Sequence, residues 1–292
     1  MKPVGKKLRL GEFLLAMEGL ALARNLYRGT DSDTNARFTD VREILGAMND
    51  PDAIENLALD TAELGAHEGY EQWAAIYDAM ENPLIVFEQR ALEPVLRALP
   101  VGTALDVCTG TGRVASILNS LGHQVVGIDQ SAAMLALAEA KVPGANFRCT
   151  TLGDPLAADV APDFDLATCS LALTHFEDLA TAIANIAKRV RPGGQVVITD
   201  VHPFFTTIDT QAFFNAEEGS TPWVRNHPHF FSDYLDAFRR ADLDVLICQE
   251  PTLGEGDGPL HGPLAMLRPA AARNAFLGLP FIILWVLRKR ES

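Results

Sequence analysis

ALDVCTGTGRVASILNSLGHQVVGID, residues 104–129, is the stretch whose reading decides the fold. An apolar run at 104–108 meets a glycine turn, a helical pattern follows over 113–121, and a second apolar run at 124–129 ends on Asp129. Gly110 and Gly112 let the backbone come close to a ligand, and the next helix offers unpaired N–H groups at its start. Asp129 stands nineteen residues after Gly110, at a strand end where a carboxylate can accept both hydroxyls of a ribose. Together these features ask for a nucleoside. They do not choose its remainder, because GTGRVA also satisfies the GxGxxA pattern of nicotinamide dinucleotide sites.

Outward from this stretch, further strands are expected at 146–150, 164–170 and 195–200, with helices at 131–141 and 178–190. Apolar strands alternating with amphipathic helices predict a parallel sheet covered on both faces, an α/β doubly wound domain. Later come a helix at 232–241, a strand at 244–250, a glycine-rich loop at 254–262 (GEGDGPLHG) and a last strand, FIILWVLR. No helix separates the final two strands, so the last one is expected to return antiparallel and close a mostly parallel sheet of seven strands. Residues 70–99 read as helical, broken at Asn82-Pro83. Residues 1–69 read as an N-terminal helical extension, with Leu10, Phe13, Leu14, Met17, Leu20 and Ala21 at helical spacing. The polar stretch at 28–40 is expected to be a connection, with Thr39 or Asp40 capping the helix VREILGAM.

Asp106 separates the two cofactor readings. An acid at the first strand tip would repel a pyrophosphate and attract an ammonium group, which fits S-adenosylmethionine (SAM) better than a dinucleotide. The ordered set GYEQWAAIYD, LDVCTGTGR, VGIDQS, FDLATCSLALTHFED, VRPGGQVVITD and SDYLDAFRRADLDV resembles the class I SAM-dependent methyltransferases of the small-molecule type, over roughly residues 70–290. The resemblance implies that residues 70–292 form the SAM-binding domain. It implies that Asp106 and the backbone of Gly110 and Gly112 hold the methionine portion, that Tyr77 reaches its carboxylate, and that Asp129, with Gln130 beside it, holds the ribose. Ser170 and Leu171 would line the inner side of the cofactor, and Thr151 and Leu152 the adenine end. Two positions depart from the family pattern. Cys108 stands where a first glycine is common, and Thr151 where an acid often accepts the adenine amino group, a task left to its hydroxyl, to Asp154 or to backbone.

Methyl transfer from a sulfonium is an in-line displacement, for which orientation in a dry pocket can supply ~7–11 kcal/mol. An oxygen acceptor gains from a base, and histidine titrates in the suitable range. His202 follows the fifth strand in TDVHPFF, His175 lies in SLALTHFED, and His229, with His227, precedes the helix at 232–241. His202 competes with a turn role before Pro203. Seven aromatic residues, Phe204, Phe205, Phe213, Phe214, Trp223, Phe230 and Phe231, cluster at 203–231 and predict a pocket wall or lid for a flat, apolar substrate. Methyl transfer to such an O-, N- or C-acceptor is the leading expectation; cyclisation or rearrangement on the same fold, or SAM binding without catalysis, are the alternatives.

The composition sets the remaining bounds. A net charge of −14 disfavours nucleic acid as a partner. No run is long enough to span a bilayer, FIILWVL being only seven residues. The four cysteines form no CxxC pair, so neither metal nor disulfide is expected, and buried, inert thiols in a cytoplasmic setting fit best. The N-terminal helices offer a surface for a homo-oligomer.

Overall fold

A computed structural model describes residues 6–27, 29–79, 82–155, 163–215, 220–254 and 267–291. The elements run β1 (Lys6–Arg9), α1 (Leu10–Asn25), α2 (Asp31–Ala47), β2 (Ala58–Thr61), β3 (Glu63–Leu64), α3 (Ala66–Tyr77), α4 (Pro83–Ala98), β4 (Thr103–Val107), α5 (Arg113–Ser120), β5 (Gln124–Asp129), α6 (Ala132–Lys141) and β6 (Asn146–Cys149). They continue with β7 (Phe164–Ser170), α7 (Leu179–Ala187), β8 (Val190–Val201), α8 (Pro203–Thr207), β9 (Ala212–Phe213), β10 (Trp223–Val224), α9 (Phe231–Arg240), β11 (Leu243–Gln249), α10 (Pro269–Phe276) and β12 (Ile282–Lys289).

Seven strands form the main sheet in the order β11-β12-β8-β7-β4-β5-β6. β12 runs antiparallel to both of its neighbours, as expected, and the pairs from β8 to β6 are parallel, but the connection between β11 and β12 is not helix-free as read, since α10 lies within it. Alternation along each strand divides two cores between the faces. Leu105, Ala167, Val196 and Trp285 join the layer under α7 and α9, whereas Ala104, Leu166, Val197 and Leu284 join the one under α4, α5 and α6.

The N-terminal segment differs from its all-helical reading. β1 pairs antiparallel with β2, and β3 pairs with β10, which pairs with β9, so residues from the segment and from 203–231 share one small sheet. α2 also starts well before Thr39: Thr30 accepts from the N–H of Asp33 at 3.1 Å, and Asp33 accepts from the N–H of Thr30 at 3.2 Å, a reciprocal cap that nucleates the helix at Asp31. The polar run becomes helix because Arg37 reaches Glu18 on α1 at 3.1 Å in the interior. Of the cysteines, Cys169 is buried, while Cys149 and Cys248 are exposed and Cys108 half-buried, and all four are free thiols. The expectation of buried thiols thus fails for two, since the tip of β6 and the edge strand β11 leave theirs uncovered. The loop at 255–262 lies outside the described residues. No described helix is long and apolar enough to cross a membrane.

Asp200, near the end of β8, is fully buried and accepts from the Tyr234 hydroxyl at 2.7 Å. Burial pushes its carboxyl up to about 7, against the pull of that hydroxyl and of the Val201 N–H. A carboxyl whose folded value lies above its unfolded value stabilises the fold fully in acid, and that contribution is lost as pH rises through the folded value. Asp200→Asn keeps the shape and cannot ionise. Urea unfolding at pH 4 and pH 8 is expected to show the variant gaining stability relative to wild type as pH rises; an unchanged difference would mean that Asp200 does not titrate in this window.

Candidate functional site

The carboxyl ends of β4, β5, β6 and β7 converge on a cavity of about 240 Å³. Cys108 and Gly110 line it from the turn after β4, Asp129 and Gln130 from the tip of β5, Thr151 and Leu152 from beyond β6, and Ser170 and Leu171 from the tip of β7. Tyr77 and Tyr70 close it from α3, and His175 and Phe176 from the segment before α7.

Backbone geometry makes this opening. Gly110 has φ +56°, and a Cβ built on it meets no atom within 4 Å, so the missing side chain leaves free space at the cavity wall. Four described non-glycine residues have positive φ, and two of them, Cys108 (53°) and Leu171 (52°), stand at adjacent strand tips in this wall. Such backbone costs of order 1–3 kcal/mol per residue and tends to collect at functional sites.

Asp129 is held from two sides. Its Oδ2 accepts from the Gly110 N–H at 2.9 Å and its Oδ1 from the Ser131 N–H at 2.9 Å. Burial raises its carboxyl above the usual range, and the N–H groups of Ser131, Gly110 and Gln130 pull it back. A carboxylate so oriented keeps lone pairs for two further hydroxyl donors.

His175 is held at both nitrogens. Nδ1 lies 2.8 Å from the Arg225 carbonyl oxygen and Nε2 lies 2.8 Å from the Tyr70 hydroxyl. Burial holds its imidazole below the ordinary histidine range, and burial drives the Tyr70 phenol well above its own. Tyr70 and Phe176 were not singled out in the sequence. The one local signal for Tyr70 is its spacing of seven from Tyr77, two helical turns along the same face of α3.

Several expected residues stand elsewhere. Asp106 is buried behind the wall, accepting from Thr168 at 2.7 Å and Thr109 at 2.5 Å, and burial pushes its carboxyl up to about 6. It has the strand phase of Ala104, toward the helices of one face, so it braces the glycine turn through Thr109 and does not line the cavity. Gly112 also lies outside the lining: it caps α5 at φ +80° and brings that helix onto α6, where an added Cβ would stand 2.9 Å from that of Ala138. His202 is the turn histidine of its alternative reading. Its Nδ1 accepts from the Phe204 N–H at 3.1 Å, and its Nε2 lies 2.9 Å from Glu250. The imidazole of His229 is spent on the Phe176 carbonyl at 2.8 Å. Thr151 does line the cavity, but its hydroxyl donates to Asp154 at 2.9 Å.

None of the seven aromatic residues at 203–231 lines the cavity either. Phe214 stacks on Trp73 at 4.9 Å, behind α3, Phe205 packs on Phe281 at 4.8 Å, and Phe231 meets Trp285 edge-on at 6.4 Å. They are spent on packing, and the aromatic surface of the cavity comes instead from Tyr70, Tyr77 and Phe176.

A family model described as a methyltransferase domain matches residues 105–198. A ubiquinone biosynthesis O-methyltransferase of Aromatoleum aromaticum is 31% identical over 170 residues, 56% of this chain and 69% of that protein. A 2-phytyl-1,4-naphtoquinone methyltransferase of Thermosynechococcus vestitus is 30% identical over 169 residues, 54% of this chain and 74% of that protein. A solved SAM-dependent methyltransferase from Mesorhizobium loti shares the fold at a TM-score of 0.50 and 24% identity, covering 70% of this chain and all of that one. Identity at this level across most of a relative's length, on a sheet closed by one antiparallel strand, places the chain in the class I SAM-dependent methyltransferases.

Proposed function

We propose that this enzyme transfers a methyl group from SAM to a small, largely apolar acceptor of aromatic or quinone-like type. The observation that carries the reading is the make-up of the cavity at the strand tips. Among the described residues a single carboxylate, Asp129, stands at one wall, Tyr70, Tyr77, Phe176, Leu152 and Leu171 supply aromatic and apolar surface, and neither lysine nor arginine lines the space. Such a lining favours a flat, uncharged body. The relatives named above act, by their names, in ubiquinone biosynthesis and on a naphthoquinone, which supports the same class.

The residues present fit the cofactor. Asp129 would accept the ribose hydroxyls, Gly110 leaves the free space beside it, Leu152 and Thr151 would flank the adenine, and Tyr77, with Ser170 and Leu171, the methionine portion. The ammonium contact expected of Asp106 is not part of this reading, because its carboxylate is used by Thr109 and Thr168. When bound, the cofactor supplies an electrophilic methyl on a sulfonium and leaves as a thioether. The chain's part is alignment and exclusion of water. In this reading α3 and the small sheet of β3, β10 and β9 serve as the cover.

Incubation with methyl-labelled SAM and a panel of catechols and hydroxylated naphthoquinols is expected to give S-adenosylhomocysteine (SAH) and methylated product in equal amounts. Product without donor consumption would establish cyclisation or rearrangement instead. SAM binding without turnover on any acceptor would leave a noncatalytic module.

A further inference from the structure

We propose that Tyr70 and His175 act as one proton acceptor for methyl transfer to a hydroxyl group, with Arg225 and Glu63 positioning the pair; this rests on the methyl-transfer reading above. Hydrogen-bond chemistry assigns the protons. A carbonyl oxygen only accepts, so the Arg225 carbonyl, 2.8 Å from Nδ1 of His175, requires the proton on Nδ1. Nε2 is then bare, and the Tyr70 hydroxyl 2.8 Å away donates to it. Both side chains line the cavity, and the Tyr70 oxygen keeps lone pairs for an incoming hydroxyl.

The transfer balances without any further reagent. As the acceptor oxygen bonds to the methyl carbon and the carbon–sulfur bond breaks, that bond's electron pair stays on sulfur. The acceptor's proton passes to the Tyr70 oxygen, and the phenolic proton of Tyr70 passes to Nε2 of His175. The imidazolium so formed keeps its Nδ1–H on the Arg225 carbonyl. Its proton then leaves to solvent as product departs.

The surroundings favour a pair that is neutral before reaction. Tyr77, Asp129, Cys108 and Asp200 face Tyr70, and His227 faces His175. Burial and the Asp129 carboxylate oppose a phenolate, and burial opposes an imidazolium, so the charge on His175 appears only as that of the sulfonium is consumed. The acceptor class follows: a phenol or enol that arrives with its proton, because a pre-ionised acceptor needs no base.

The carbonyl that fixes the tautomer is itself anchored. Arg225 follows β10, and its guanidinium is paired with Glu63 of β3 through two hydrogen bonds of 2.6 and 2.7 Å. Its guanidinium also lies 5.4 Å over the Trp223 ring. Glu63, on the short strand just before α3, is thus a positioning residue. The pair works as described only while the cover is seated.

The test uses the full chain, the hydroxyl panel above, and calorimetry with SAH. Tyr70→Phe and His175→Asn are each expected to lower kcat about 100-fold, within the range general-base removal produces, while the Kd for SAH stays within about threefold. Combining them should cost no more than either alone, as expected of groups acting as a unit. The acid limb of the wild-type rate profile should vanish in His175→Asn. Glu63→Gln should lower kcat severalfold and shift that limb, which a purely structural contact would leave in place. Methylation of a hydroxyl by wild type that survives both Tyr70→Phe and His175→Asn overturns the pair and leaves the methyl-transfer reading standing. Absence of any O-methylated product from a wild-type protein that binds SAH overturns the hydroxyl chemistry and the pair together. Should a variant fail to fold, nitrogen-15 NMR of wild-type His175 decides: an Nδ1–H tautomer is expected, and an Nε2–H tautomer overturns the proton assignment.

Discussion

Asp129→Ala is expected to raise the Kd for SAH by at least about 100-fold, measured calorimetrically, with the protein still folded. The carboxylate is already fixed by the Gly110 and Ser131 N–H groups, so it presents its remaining lone pairs to a ribose without further ordering. Hydrogen bonds to a charged group contribute about 1.5–3 kcal/mol each, and losing two corresponds to roughly two to four powers of ten in affinity. The substitution also frees the two N–H groups, so part of the loss would come from a looser glycine turn. Asp129→Asn separates these terms, because its amide oxygen still accepts while its NH2 can only donate. Its loss should fall between wild type and Ala. Unchanged affinity in both variants would place the adenosine somewhere other than the tip of β5.

The sheet was legible because its strands are apolar runs closed by glycines and acids, and the alternation that sorts Leu105 and Ala104 onto opposite faces is local. What depended on partners was not. β3 is two residues long and exists through pairing with β10, and the polar run at 31–40 is helical because Thr30 caps it and Glu18 waits across α1 for Arg37. Asp129 could be placed from its interval alone. Asp106 sits at an equally visible strand tip, yet period-two geometry turns its side chain away from the opening, a phase that Ala104 already carried. Tyr70 and His175 are 105 residues apart, with no local pattern linking them. His202 and His229 look equivalent to His175 in sequence, and only the carbonyl, amide or carboxylate each one meets tells them apart.

Glu88→Ala is expected to lower unfolding stability by about 3 kcal/mol in urea titration, at the lower end of what breaking a buried ion pair costs. Glu88 on α4 is fully buried, with Oε2 2.8 Å from Nη1 of Arg113. Its Oε1 accepts from the hydroxyls of Ser170 and Thr199, each at 2.7 Å, and Arg113 Nη2 donates to Ser170 at 2.9 Å. One carboxylate therefore joins α4, the start of α5 and the tips of β7 and β8. Removing it strands a guanidinium whose side chain is only 24% exposed, and leaves two hydroxyls without their acceptor. Replacing both ions, Glu88→Met with Arg113→Met, removes the desolvation cost along with the attraction. That double variant should be more stable than Glu88→Ala, the reverse of additive behaviour. Ser170 lines the cavity, so both variants should also weaken SAH binding, because the hydroxyl loses the carboxylate that orients it. A loss under about 1 kcal/mol in the single variant would mean that water reaches Arg113 and replaces the pair, and α4 would then be held to the sheet by the apolar packing of Leu92 and Leu96.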